Sequence, residues 1–211
     1  MRDVANAVPN SEFRIPNSEF LQMRLFIAID LDDGARSAIA GEQKRLAAAF
    51  GDSRRSSIKW VRPDHMHLTL VFLGEVDEGR AAPIIEEAGA DLPHNPFDLQ
   101  FEGVGVFPPR GAPNVLWLGV TAGAEPAIAL QQAVGGRVRQ HGVPLDTRPF
   151  HPHLTLARYR NSRPADRQQV MSMMFHEVAS VHVDHVTLYQ SRLSPAGPSY
   201  TTLARANLRT A

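Results

Sequence analysis

The 211-residue chain contains no cysteine. That excludes a disulfide framework, a thiolate zinc site and a cysteine nucleophile, and it fits a reducing compartment. There is no surplus of charge: 22 basic and 22 acidic side chains give a formal net charge of zero. A protein that coats nucleic acid by counterion release needs a positive balance, so any RNA contact here must be local. No stretch approaches the roughly 20 apolar residues of a membrane span. With 43% hydrophobic and 21% charged residues and no long polar tract in its main body, the chain reads as globular. Its length suits one compact unit or two tightly packed lobes. The reactive side chains that stand out are nine histidines.

The first residues differ from the rest. "PNSEF" at Pro9–Phe13 returns at Pro16–Phe20, polar throughout and without the apolar core of a signal peptide. Residues 1–22 are expected to be a disordered or adventitious extension, and residues 23–211 the folded domain. Met23–Asp30 reads as a buried strand, followed by a helix capped by Asp32 or Asp33 with Ala35, Ala38, Ile39, Leu46 and Phe50 on one stripe. Strands are expected at "IKWV" and at "HLTLVFL", the latter ending at Gly74, then a helix from about Asp77 to Asp91. Next come "FDLQFEGVGVF" and "NVLWLGV", joined by the irregular loop "PPRGAP", and a helix over about Glu125–Gln140. Pro164 opens a further helix whose Val170, Met171, Met174 and Phe175 are expected in the core. The chain closes with "VHVDHVTLYQSRL" and "YTTLARANL", read as two strands around a turn at "SPAGPS". The two halves each alternate strands and helices, which predicts an α+β fold of two similar lobes facing one another.

Each half carries one copy of nearly the same hexapeptide: "HMHLTL" at His65–Leu70 and "HPHLTL" at His151–Leu156. Side chains alternate along a strand, so His67 and Thr69 share one face while Leu68 and Leu70 anchor the other; His153 and Thr155 repeat this. Two such strands across a cleft present two imidazoles and two hydroxyls. In-line attack on a phosphodiester needs a base for the nucleophile and an acid for the leaving oxygen, and histidine suits both. The hydroxyls can donate to non-bridging phosphoryl oxygens. This scheme requires no metal.

Beyond this chemistry, the sequence resembles the two-histidine phosphoesterases, and among them the RNA 2′,3′-cyclic phosphodiesterases, also called 2′-5′ RNA ligases. The resemblance spans nearly all of Met23–Leu208 and rests on "MRLFIAIDL", "IKWVRPDHMHLTLVFLGEV", "VLWLGV" and "RPFHPHLTLAR". It implies a bilobal two-histidine phosphoesterase fold, two pseudo-symmetric lobes each with an antiparallel sheet and helices and a catalytic cleft between them. It further implies metal-independent hydrolysis of RNA terminal 2′,3′-cyclic phosphate to 2′-phosphate, with reversible 2′-5′ ligation. By the same resemblance His67 is the proton donor and His153 the proton acceptor, with Thr69, Thr155 and Arg158 on the phosphate. RNA ends or cyclic nucleotides are the implied substrates. No cofactor, no metal and no membrane are implied, and the expected protein is a cytoplasmic monomer.

Strict alternation from His153 puts Arg158 on the wrong face, so a bulge or strand end is expected between them. The equivalent of Arg158 in the first copy is Phe72, expected to be buried. His65 and His151 are expected as turn or hydrogen-bonding residues. Two competing readings stay open: a metal-dependent phosphoesterase using the pairs His65/His67 and His151/His153, against which stands Pro152, and a non-catalytic RNA-end binding module. Among Lys59, Arg62, Arg110, Arg148 and Arg160, ordinary surface charge is expected for most. Arg148, just before the second motif, and Arg110, on the "PPRGAP" loop, are the candidates for substrate contact. Trp60, Phe107 and Tyr159 could stack a base or sit in the core.

Overall fold

The structure is a computed structural model that describes residues 22–51, 58–173, 176–195 and 197–210. Among these described residues, ten strands form two five-stranded sheets. In chain order the elements are β1 (Gln22–Ile29), α1 (Asp33–Phe50), β2 (Ile58–Trp60), a 3₁₀ turn (Pro63–His65), β3 (Leu68–Asp77), α2 (Glu78–Gly89), β4 (Leu92–Pro93), β5 (Phe97–Phe107) and β6 (Val115–Ala122). Then follow α3 (Ala124–Arg139), β7 (His153–Tyr159), α4 (Pro164–Met171), β8 (Glu177–Val183), β9 (His185–Ser194) and β10 (Gly197–Arg209). The first sheet runs β3-β1-β9-β10-β4 and the second β2-β7-β6-β5-β8. The pairings are antiparallel except for the short parallel contact of β10 with β4. Gln22 opens β1, while residues 1–21, the repeated "PNSEF" included, lie outside the described residues.

The α+β fold of two sheets, each bearing one hexapeptide, is as expected, but the sheets are not the halves of the sequence. The first sheet combines β1, β3 and β4 with the C-terminal β9 and β10, and the second takes β2 from the first half. The helices are exchanged too: α1 leaves β1 to pack on β8 of the second sheet, and α3 leaves β6 to pack on β3 of the first. The segment "VHVDHVTLYQSRL" is not one strand. Apolar residues alternate on either side of Asp184, but the phase slips between Val183 and Val186, where the chain passes from β8 in one sheet to β9 in the other.

Local chemistry explains the element ends. Asp32 caps α1, its carboxylate accepting from the Ala35 amide at 2.7 Å, a contact worth about 1 kcal/mol. Ala35, Ile39, Leu46 and Phe50 form the buried stripe, whereas Ala38 faces solvent. The strand expected to stop at Gly74 runs on to Asp77, because Gly74 adopts φ 73° beside a register shift against β1 and so bends the strand without ending it. Val170 is fully buried, but Met171 is 57% exposed, since α4 offers only a short face to β5; Met174 and Phe175 lie outside the described residues. The leucines of both motifs are in the core: Leu68, Leu154 and Leu156 are 0% exposed and Leu70 4%. Each contributes about 2 kcal/mol by burial and fixes the face its histidine must take.

Candidate active site

The motif strands lie in different sheets, yet β3 and β7 run side by side with Cα atoms within 8 Å of one another. The two motif-bearing strands therefore meet at the junction of the sheets. His67 stands just before β3, and Thr69 is inside it. Their half-buried side chains alternate with buried Leu68 and Leu70. His153 and Thr155 do the same at the start of β7.

The expected bulge is present, and in both strands. The β6 to β7 pairing passes from Trp117↔Thr155 to Leu116↔Ala157, leaving Leu156 as the extra residue. Leu156 and Ala157 are consequently both buried, and Arg158 returns to the face of His153 and Thr155. The carbonyl that the bulge frees, that of Leu156, accepts from Val61 N at 2.9 Å and from Gln43 Nε2 at 2.8 Å. Gln43, reaching in from α1, also donates to the Val61 carbonyl at 2.8 Å. Nothing in the local sequence of the motif points to this distant buried amide.

In β3 the step from Ala28↔Thr69 to Ile27↔Val71 bulges Leu70 in the same way. It turns Phe72 outward, so the ring expected in the core is 56% exposed, in the position that Arg158 takes in the other strand. Phe72 lies 6.0 Å from the ring of Phe26.

The histidines are oriented alike. His153 Nδ1 lies 2.7 Å from the His151 carbonyl; a carbonyl only accepts, so Nδ1 carries the hydrogen and Nε2 keeps its lone pair for the cleft. His67 is hydrogen-bonded to the carbonyl of His65, the residue in the same place. The residue two before each motif histidine is thus a backbone anchor, the hydrogen-bonding role expected of His65 and His151. Rings complete the setting. Phe26 stacks on His67 at 4.8 Å, with Tyr200 edge-on at 5.4 Å. Phe107 meets His153 edge-on at 5.0 Å, and Trp117 meets the same imidazole edge-on at 6.3 Å. Phe107 therefore belongs to the site, while Trp60 packs on Phe50 and against the core.

Burial governs the acid-base chemistry. Desolvation depresses the His67 pKa to about 4, opposed by the His65 carbonyl and by the charge of Asp30. The His153 pKa is also lowered, first by burial, and Arg158 pushes it the same way. Both imidazoles are therefore neutral at pH 7 in the free protein, and a phosphate anion between them would favour protonation. Arg158 is exposed and, among the described residues, forms no ion pair. Its charge, with that of Arg24, also acts on Tyr200 of β10, so β7 reaches across to the first sheet. Among the described residues the hydroxyls of Thr69 and Thr155 make no hydrogen bond within the protein, leaving both free to donate.

The other basic candidates separate. Arg148 is engaged by Asp146 through two 3.0 Å contacts from Nε. Arg62 pairs with Asp64 at 2.8 Å. Arg110 is exposed on a loop that is itself tied to α4, where Arg167 donates to the carbonyls of Pro108 at 2.6 Å and Gly111 at 2.9 Å. Lys59 is the register partner of Arg158 and brings a second cation to that edge. Asp30, Phe26, Tyr189 and Tyr200 also belong to the site. Sequence reasoning misses them because their strands are far from either motif in the chain.

Among the described residues, no group of three or more histidine, aspartate or glutamate side chains is placed to hold a metal. The rings of His151 and His153 lie 6.4 Å apart, each directed by its own backbone setting. A cavity of about 440 Å³ lies at the far end of β1, lined by Arg24, Glu75, Glu78 and Arg192 among others, and neither motif histidine lines it.

A protein named RNA 2′,3′-cyclic phosphodiesterase, from Archaeoglobus fulgidus, is 36% identical over 181 residues, covering 86% of this chain and 98% of its own. Its counterpart of the same name from Methanothermobacter thermautotrophicus is 33% identical over 186 residues, covering 87% and 97%. Among solved structures, TT0787 of Thermus thermophilus superposes with a TM-score of 0.72 at 30% identity, covering 89% of this chain and 99% of that one. E. coli LigT in its apo form gives 0.69 at 28% identity over 90% and 99%. The family model of the 2′-5′ RNA ligase superfamily matches residues 36–194, and the chain belongs to that superfamily.

Proposed function

We propose that this protein hydrolyses the terminal 2′,3′-cyclic phosphate of RNA to a 2′-phosphate, with the two His-x-Thr motifs as its entire proton-transfer machinery. The observation that carries the reading is the matched pair of bulged strands. Each sets an imidazole and a free hydroxyl on one face, and β3 and β7 run beside one another. The relatives named RNA 2′,3′-cyclic phosphodiesterase support the substrate class, and LigT has been crystallised with 3′-AMP.

The substrate's phosphate lies between the motifs, its non-bridging oxygens accepting from Thr69, Thr155 and Arg158. His153 Nε2 takes a proton from the attacking water, as its fixed tautomer allows. The water oxygen bonds to phosphorus as the bond from phosphorus to O3′ breaks, and His67 gives its proton to O3′. The products are a 2′-phosphate and a 3′-hydroxyl. The same pair in the same roles, with an RNA 5′-hydroxyl in place of water, breaks the bond from phosphorus to O3′ and joins the ends through a 2′-5′ linkage, and the reverse of that step re-forms the cyclic phosphate. No metal takes part, the substrate is an RNA end or a cyclic nucleotide, and the protein works as a cytoplasmic monomer. The exposed Phe72 ring, standing where the other lobe has Arg158, orients the substrate by offering a surface on one side and a charge on the other.

The test is incubation of chelator-treated protein, with His67→Ala and His153→Ala beside it, with an oligonucleotide ending in a 2′,3′-cyclic phosphate. A 2′-phosphate made by wild type alone is expected. Turnover only after zinc or manganese is added, or tight binding without turnover, would overturn the reading.

A further inference from the structure

The two histidines are near-equivalent by fold, so something outside the motifs must make one the donor and the other the acceptor. The cross-strand neighbours differ. His153 is the register partner of Gly119 on β6. On the other side, β1 and β3 pair up to Ile29↔Leu68, so the next residues in register are Asp30 and His67. Cross-strand partners share a face, which puts the Asp30 carboxylate beside His67.

That carboxylate is built in. Its Oδ2 accepts from Thr187 Oγ1 at 2.7 Å and its Oδ1 from the Tyr189 hydroxyl at 2.6 Å, both from β9. Thr187 is 0% exposed, and His185 Nε2 stands 3.5 Å from Oδ2. Tyr189 in turn stacks on Phe26, the ring that lies against His67. At Gly119 no such group fits: a Cβ there would come within 2.9 Å of the Glu102 carbonyl and 3.3 Å of the Trp117 ring. The second lobe instead holds Arg158 near its histidine.

We propose that Asp30 is a positioning residue that assigns the donor role to His67: a fixed negative charge beside one imidazole, with a glycine in the equivalent place beside the other. The inference rests on the two-histidine mechanism proposed above. The groups facing His67 are Asp30 from the end of β1, His65 from the 3₁₀ turn, Tyr189 from β9 and Tyr200 from β10, with His185 behind Asp30. Asp30 is the only carboxylate of that set. An anion there favours the imidazolium that must form before a proton can be given to O3′.

The experiment compares two cyclic substrates, one with the natural 3′ oxygen and one with sulfur bridging at the 3′ position. A thiolate leaves without protonation, so loss of the acid harms only the oxygen substrate. Asp30→Asn is expected to slow the oxygen substrate by about tenfold or more while nearly sparing the sulfur one, as His67→Ala does more strongly. Because the readout is the ratio of the two rates, partial loss of folded protein cancels. In the complex with a 2′-phosphate, the His67 pKa followed by NMR should also fall in Asp30→Asn with that of His153 unmoved. Equal losses on both substrates would make Asp30 merely structural and overturn the proposal. Should Asp30→Asn prove insoluble, Thr187→Val, which removes one of the two anchors, decides: the ratio must move in the same direction by a smaller factor, and a wild-type ratio refutes the idea. If even His67→Ala is not rescued by sulfur, the donor assignment itself fails, a different outcome from failure of Asp30 alone.

Discussion

Lowering the pH from neutral should destabilise this protein through His67. An unfolded histidine has a pKa of about 6.5. In the fold, burial beneath Phe26 and between Tyr189 and Tyr200 depresses it to about 4. Between those values the unfolded chain binds a proton that the folded chain refuses, so stability present above pH 6.5 is lost as pH falls toward 4. From pH 7 to pH 5 this group alone costs about 2 kcal/mol, rising toward about 3 kcal/mol at lower pH. The assay is urea denaturation at both pH values for wild type and His67→Gln, which cannot titrate. With a urea slope of about 2 kcal/mol per molar, the wild-type midpoint should fall by about 1 M more than that of the variant. NMR titration of the His67 ring should give the same low pKa directly, and a saturating 2′-phosphate ligand should raise it. A free-protein His67 that titrates between pH 6 and 7, or equal midpoint shifts in the two proteins, would refute the burial account. It would also change the kinetics, because a donor with a pKa this low is protonated only in a minor species until the substrate's charge arrives. The rate should still trace a bell in pH, with limbs that belong to the coupled pair.

Three further outcomes follow from particular contacts. Thr155→Val keeps the strand's shape and removes a donor to the phosphate, so kcat/KM should fall about 10- to 100-fold with the urea midpoint nearly unchanged. Gln43→Leu withdraws the amide that joins the Val61 and Leu156 carbonyls and should cost about 1–3 kcal/mol in urea denaturation, lowering activity through the β7 bulge. At Gly105 an added Cβ would lie 2.2 Å from the Trp117 ring, which in turn borders His151 and His153. Gly105→Ala should therefore move that ring, shift the tryptophan fluorescence and slow turnover, with an overpacking cost of about 1–3 kcal/mol.

Much of the chemistry is legible in the sequence because it is local. A period of two puts His67 with Thr69 and His153 with Thr155 whatever the rest of the chain does, and a five-residue step from His153 to Arg158 demands a bulge if both are to share a face. The strand "FDLQFEGVGVF" and the helix expected over about Glu125–Gln140 are equally plain, and both hold. What misleads is anything decided by a partner elsewhere. Phe72 is apolar and sits in a strand, yet a bulge two residues earlier turns it outward. The alternation in "VHVDHVTLYQSRL" slips by one residue between Val183 and Val186, and its two parts belong to different sheets, because alternation reports a buried face and not which sheet supplies it.

The sequence by itself determined the reactive groups, the face each occupies on its own strand and the need for two of them. The tertiary structure decided which strands stand together: β9 carried back beside β1, β2 carried across to β7, and helices exchanged between sheets. Only that long-range pairing brings Asp30 beside His67 while His153 keeps a glycine, and so makes unequal two motifs that the sequence writes almost identically. The physical reason is range. Side-chain alternation acts over two residues, whereas register and burial, which set charge and pKa, depend on chains that meet from more than a hundred residues apart, as Thr187 meets Asp30.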